Sequence, residues 1–337
     1  MDESSVDTIR TAKAGRVKRP RRAWPRWVAA LFAVIAVTIV FLASDREPLA
    51  LDERAMSRLP GRFVVLSHGP TNYEVAGPEN GPVVLLIPGI SIPRAVFGRT
   101  LAPLAAAGYR VISFDLYGRG FSARPHVRYD ARLFNQQTDD LLAALQVEGS
   151  VNLIGLASGG LQAMLYADER PSRVKSLVLI APDGVDGPVT GFVRLVRRPV
   201  VGELAGRLVM NAVGQRRWEE RLQNYSADRR VVDDVVRQFR AQLEYKGFWR
   251  ALVSSISSLP ISESSELFRR IERRGTPTLV LWGTSDVIIP TPLGQEVRKL
   301  MPSATCIEVP AGHLPQYERP DLTNAAILKF LAPRRST

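Results

Sequence analysis

The stretch Val151-Asn152-Leu153-Ile154 followed by Gly155-Leu156-Ala157-Ser158-Gly159-Gly160 restricts the possible folds more than any other. A short apolar run closed by glycines reads as a buried strand, and the glycines let two backbones touch where the chain turns sharply into a helix. Such a turn needs small residues two before and two after its centre. With Ala157 central, those positions hold Gly155 and Gly159; with Ser158 central, bulky Leu156 falls where the turn crowds. The sequence therefore centres the turn on Ala157 and places Ser158 next, with Ser158 at the centre as the alternative register.

The same alternation continues along the chain. Strands are expected at 63–67, 73–76, 83–87, 109–114, 151–154, 174–180, 278–282 and 305–309, with helices near 96–107, 130–145, 160–168, 293–300 and 322–331. This order predicts an α/β fold with a mostly parallel central sheet and helices on both faces. Residues 184–274 show no buried-strand pattern and read as a helical cap inserted into a core of 61–183 and 275–333. Apolar and basic residues mix over 192–200 and 202–213, which suits the lining of a hydrophobic pocket or a surface resting on a membrane.

The net charge of +12 is concentrated near the start, where residues 10–26 hold eight basic residues and no acid. They run directly into the apolar stretch Trp27–Ala43, 17 residues that as a helix would reach about 26 Å against a hydrocarbon core of roughly 30 Å. The expectation is a basic cytoplasmic tail over 1–26, a transmembrane helix over 27–44 and a polar linker over 45–60. By the positive-inside rule the chain is then a single-pass membrane protein with its main domain extracytoplasmic. A cleaved secretory signal is the rival reading, against which Phe41 occupies a position where a small residue is needed. A basic arm so placed favours membrane over nucleic acid, and no nucleic-acid partner is expected. The single Cys306 excludes an internal disulfide framework, and three histidines, His68, His126 and His313, argue against a histidine-rich metal site.

Four segments together resemble the α/β-hydrolase superfamily of lipases, epoxide hydrolases and C–C hydrolases: Val84–Ile90, Phe114–Ser122, Asn152–Gly160, and Trp282–Asp286 with Ala311-Gly312-His313. The resemblance covers nearly all of residues 60–333. It implies an α/β-hydrolase fold with Ala157 at the nucleophile-elbow position, Asp286 as the acid and His313 as the base of the triad, in the family's chain order. It also implies an oxyanion hole from the backbone N–H groups of Ile90 and Ser158, Asp183 as the alternative acid, and no metal or organic cofactor. His68 and His126 have no recognisable partner and read as structural or surface residues.

An alanine methyl forms no acyl-enzyme, and loss of the serine in a serine protease costs about 10⁶ in kcat. The expectation is an enzyme that handles a hydrophobic small molecule by His313/Asp286 acid–base chemistry without a covalent serine intermediate. One alternative is a binding or scaffold protein that keeps the fold without catalysis. The other is a conventional hydrolase of an ester, epoxide or C–C bond, with Ser158 taking over.

Overall fold

Runs of Val, Leu and Ile at 83–87, 151–156, 174–180 and 278–283 are buried almost throughout, as strands covered by helices on both faces must be. They are β3, β5, β6 and β7 of an eight-stranded sheet whose others are β1 (Arg62–Leu66), β2 (Gly69–Ala76), β4 (Arg110–Phe114) and β8 (Thr305–Val309). The order is β1-β2-β4-β3-β5-β6-β7-β8. β1 and β2 pair antiparallel with their neighbours and the rest of the sheet is parallel. This computed structural model describes residues 26–43, 47–198 and 201–332.

The helices are α1 (Arg26–Ala43), α2 (Glu53–Met56), α3 (Gly98–Ala106), α4 (Ala131–Ala144), α5 (Ser158–Glu169), α6 (Gly191–Val196), α7 (Gly202–Leu222), α8 (Arg229–Leu243), α9 (Phe248–Ser258), α10 (Ser265–Arg273), α11 (Thr291–Leu300), α12 (Pro315–Glu318) and α13 (Pro320–Leu331). Alternate strand residues feed two cores. Leu85, Leu153 and Leu177 pack with Phe134 of α4, Met164 of α5 and Phe268 of α10. Val84, Ile154 and Val178 pack with Leu104 of α3 and Ile327 of α13, in a cluster that continues into Val235 and Phe239 of α8 and Leu252 of α9. The period of two along each strand thus distributes one sequence between two cores. Helices α6 to α10 fill the insertion between β6 and β7 and are called the cap below. Asp130 and Asp228 start α4 and α8 by accepting the N–H groups of Leu133 and Arg230.

Two features differ from the sequence reading. The first is a correction to the expected transmembrane helix: among the described residues no helix is long and apolar enough to cross a membrane. Helix α1 has 18 residues, a rise of about 27 Å, and begins on Arg26, so its uncharged part falls short of a hydrocarbon core of roughly 30 Å. The second is that part of the expected linker is engaged. The Glu47 carboxylate accepts the N–H groups of Gly247 and Trp249, and Leu49 forms a bridge with Tyr245, so this segment is fastened to the start of α9.

The turn out of β5 is built by contact between backbones. A Cβ on Gly159 would overlap the carbonyl oxygens of Ile87 and Pro88, and one on Gly155 would overlap the Gly159 carbonyl. Gly159→Ala is expected to cost about 3 kcal/mol or more of unfolding free energy, because backbone atoms cannot rotate aside as a side chain does. Urea titration of the two proteins checks this, and a cost below about 1 kcal/mol would contradict the packing described.

Candidate functional site

Three strand ends converge on one spot. Leaving β5, Ala157 adopts φ 50° and ψ −118°, a conformation that a non-glycine residue holds only where its surroundings enforce it. The enforcement is visible: the Ala157 N–H donates to Ile180 O at 2.9 Å, and its carbonyl accepts from Gly160, Leu161 and Asp183 N–H at 2.9, 3.2 and 3.1 Å. The strained turn is centred on Ala157, and Ser158 is the first residue of α5. Its N–H is one of the first-turn donors that a helix leaves without an intrahelical acceptor.

Beyond β7 and β8, Asp286 and His313 meet. His313 Nδ1 lies 2.8 Å from Asp286 Oδ2, with both side chains almost wholly buried. The other carboxylate oxygen accepts Ile288 N–H at 2.8 Å and Ile289 N–H at 2.9 Å. Two backbone donors thus hold one carboxylate oxygen, and the other, against Nδ1, favours the tautomer that carries its proton there and leaves Nε2 unprotonated. The imidazole is clamped from the cap side by Tyr225, which lies between α7 and α8. Its carbonyl accepts His313 N–H at 2.8 Å, and its ring stands edge-on to the imidazole with centroids 4.8 Å apart. Sequence reasoning missed Tyr225, since nothing links it to His313 except the tertiary fold.

Ala157, Ser158, Ile90 and Asp183 share a cavity of about 820 Å³ between core and cap. Its walls are largely apolar, with Ile92, Val185, Phe192, Met210, Ile256 and Leu293 among them, while Arg216, Arg217 and Arg221 of α7 also contribute. Both residues expected to supply oxyanion donors therefore line the cavity, with one complication: the Ser158 hydroxyl accepts the Ile90 N–H at 2.8 Å and occupies that donor. The Ser158 O–H proton can in turn point to a bound oxygen.

Asp183 is not part of the His313–Asp286 pair. It sits half-buried in the cavity wall after β6, two residues past Ala181, whose φ of 41° is also strained. Burial raises its pKa to about 6, opposed by the charges of His313 and Arg221 and assisted by the Asp286 charge. His68 is exposed, edge-on to the Tyr117 ring, and His126 is exposed in the loop after β4. Cys306 is half-buried on the edge strand β8. Among the described residues no group of three or more His, Cys, Asp or Glu is placed to hold a metal ion.

The sequence profile of the alpha/beta hydrolase family matches residues 84–326. This chain belongs to the alpha/beta hydrolase family. It is 30% identical over 280 residues to the 2-hydroxy-6-oxononadienedioate/2-hydroxy-6-oxononatrienedioate hydrolase of Paraburkholderia xenovorans, covering 77% of this chain and 90% of that one. Among solved structures it is similar to a hydrolase from Pseudomonas aeruginosa PA01, with TM-score 0.65, 24% identity and coverage of 81% and 98%. The enol-lactonase from Burkholderia xenovorans LB400 aligns with TM-score 0.64, 19% identity and coverage of 81% and 100%. These two likenesses concern the fold.

A raised carboxyl pKa has a definite sign in stability. Below about 3.8 the Asp183 carboxyl is protonated folded or unfolded and costs nothing; above about 6 the folded state carries a charge that the unfolded state solvates better. Asp183→Asn is therefore expected to stabilise the protein by about 1–2 kcal/mol at pH 8, after allowance for solvent access, and by much less at pH 4.5. Urea unfolding at both pH values checks it; a gain that is equal at both would rule out the charge as its cause.

Proposed function

We propose that this alpha/beta hydrolase cleaves a largely apolar, carbonyl-containing small molecule using water as the nucleophile. The substrate would be an ester, a lactone or an oxo compound split at a carbon–carbon bond. The observation that carries the proposal is the buried His313–Asp286 hydrogen bond, in contact with Tyr225, Ile288 and Ile289 of the cavity wall, together with a strained turn in the same wall whose central residue is Ala157. Ala157 takes the nucleophile position and His313 Nε2 the role of general base. His313 removes a proton from water, the hydroxide adds to the carbonyl carbon, and the resulting oxyanion is held by the Ser158 N–H and by the Ser158 hydroxyl that the Ile90 N–H orients. Collapse of the adduct breaks the bond to the leaving group, which receives the proton from His313. Atoms and charge balance without a covalent intermediate.

The names of curated relatives support this reading over non-hydrolytic acid–base chemistry, since a dienedioate hydrolase and a 2-hydroxy-6-oxo-2,4-heptadienoate hydrolase are among them. The volume and apolar walls of the cavity support a hydrophobic small molecule as its occupant. One observation favours a second reading, serine catalysis: the Ser158 hydroxyl is in the site, although its bond with Ile90 N–H and its place one residue past the turn aim it at the oxyanion position.

The test is hydrolysis of a panel of aryl esters, enol-lactones and 2-hydroxy-6-oxo-dienoates, combined with labelling by a fluorophosphonate. The wild type should turn over at least one class and resist labelling. His313→Ala should lower kcat/KM by about 10²–10⁴, and Ala157→Ser should become labelled. Labelling of the wild type that Ser158→Ala abolishes would establish serine catalysis instead. Absence of turnover in every class, with ligands still bound, would indicate a binding protein.

A further inference from the structure

A second recess, of about 530 Å³, opens where the loop after β4, the end of α6, the first turns of α7, and α9 meet. It shares no catalytic residue with the first cavity, and two helices stand between them. On α9, Ile256 lines the catalytic cavity, whereas Arg250, Ser254, Ser257 and Ser258 line this recess. Those four fall on one helical face by their spacing of three and four residues. On α6, Phe192 and Val193 face the catalytic cavity and Val196 faces the recess.

The recess is strongly cationic. Its walls carry Arg128, Arg197, Arg198, Arg207 and Arg250 and the exposed His126, with Glu203 as the acidic residue among them. Arg197 is paired with Glu263 at 2.7 Å. Arg128 and Arg250 are held differently. Arg128 Nε donates to Ser258 Oγ at 2.9 Å, and Arg250 donates to the carbonyls of Pro125 and Arg124 at 2.8 and 2.7 Å. These neutral acceptors orient the guanidinium groups without cancelling their charge. Among the described residues no carboxylate comes within ion-pair distance of Arg128, Arg198 or Arg250.

Like charges gathered around a concave surface raise its potential and repel one another until a counter-anion enters. Arg128, held through its Nε, keeps its two terminal nitrogens for an anion, and such a fork matches phosphate and carboxylate oxygens in geometry as well as charge, while Arg250, whose terminal nitrogens grip backbone carbonyls, contributes charge. We propose that this recess binds a compact, soluble polyanion, a phosphorylated or polycarboxylate small molecule, at a site separate from the catalytic cavity. Because one wall belongs to the core loop 126–128 and the others to the cap, an occupant joins the two across their seam.

The full chain is titrated calorimetrically with pyrophosphate, and in parallel with citrate, at constant ionic strength. The variants are Arg128→Gln with Arg198→Gln, and Glu203→Gln; none touches the catalytic residues, and their ligand-free melting curves establish that they fold. The wild type should bind pyrophosphate saturably at one site. The double variant should bind roughly tenfold more weakly or worse, and Glu203→Gln more tightly. Binding of pyrophosphate but not citrate assigns phosphoryl recognition; binding of both assigns recognition of charge density. Absence of saturable binding of either anion overturns the proposal, as does a folded double variant with wild-type affinity. Hydrolysis of the substrate panel is a separate readout, so failure here leaves the hydrolase reading standing.

Discussion

Backbone packed against backbone at the carboxyl ends of the central strands sets the geometry of everything above the sheet. Gly155 and Gly159 touch across the turn, Gly159 lies on the carbonyls of Ile87 and Pro88, and Gly283 lies against the Gly312 carbonyl. The first contacts bring the β3 loop with Ile90 beside the start of α5; the last brings the β7 end with Asp286 beside the β8 end with His313. Such contacts leave little freedom, which is why the strain at Ala157, of about 1–3 kcal/mol, is held rather than relaxed.

A similar arrangement lies on the turn after β4. The Asp115 carboxylate accepts the N–H groups of Arg94 and Phe121, while Gly120, at φ 48°, leaves it room that any side chain would fill. From this turn polar bonds reach the cap. Arg119, wholly buried, donates to Ser255 Oγ at 2.7 Å and stands over the Phe248 ring at 5.6 Å. Burial pushes its pKa down to about 9. Gln242 joins the same seam, accepting Gly120 N–H and donating to Ser91 O, each at 2.8 Å. Buried donors and acceptors that satisfy one another lose heavily if the seam shifts, so these bonds fix where the cap sits over the cavity.

The consequence is that a buried His313–Asp286 pair and a strained turn centred on Ala157 are held at neighbouring strand ends. The partly open position of Asp183 adds a second carboxyl to the same cavity, one whose protonation state changes near pH 6.

Most strands were legible in the chain to within a residue or two, because runs buried on both faces are unambiguous, and the sizes of Gly155, Leu156 and Gly159 placed the centre of the sharp turn at Ala157, where the fold has it. The family resemblance singled out Asp286, His313, Ile90 and Ser158, and the fold brings Asp286 against His313 and Ser158 against Ile90. The sequence reading of α1 as a transmembrane helix failed on a margin of a few residues in apolar length. Only the tertiary structure decided that Tyr225 clamps His313, that Ile288 and Ile289 N–H hold Asp286, that Ser158 caps Ile90, and that Glu47 fastens to α9. Apart from the two amides beside Asp286, these contacts join residues tens to hundreds of positions apart, and no periodicity or motif along a chain records which distant side chain closes a hydrogen bond once the sheet has assembled.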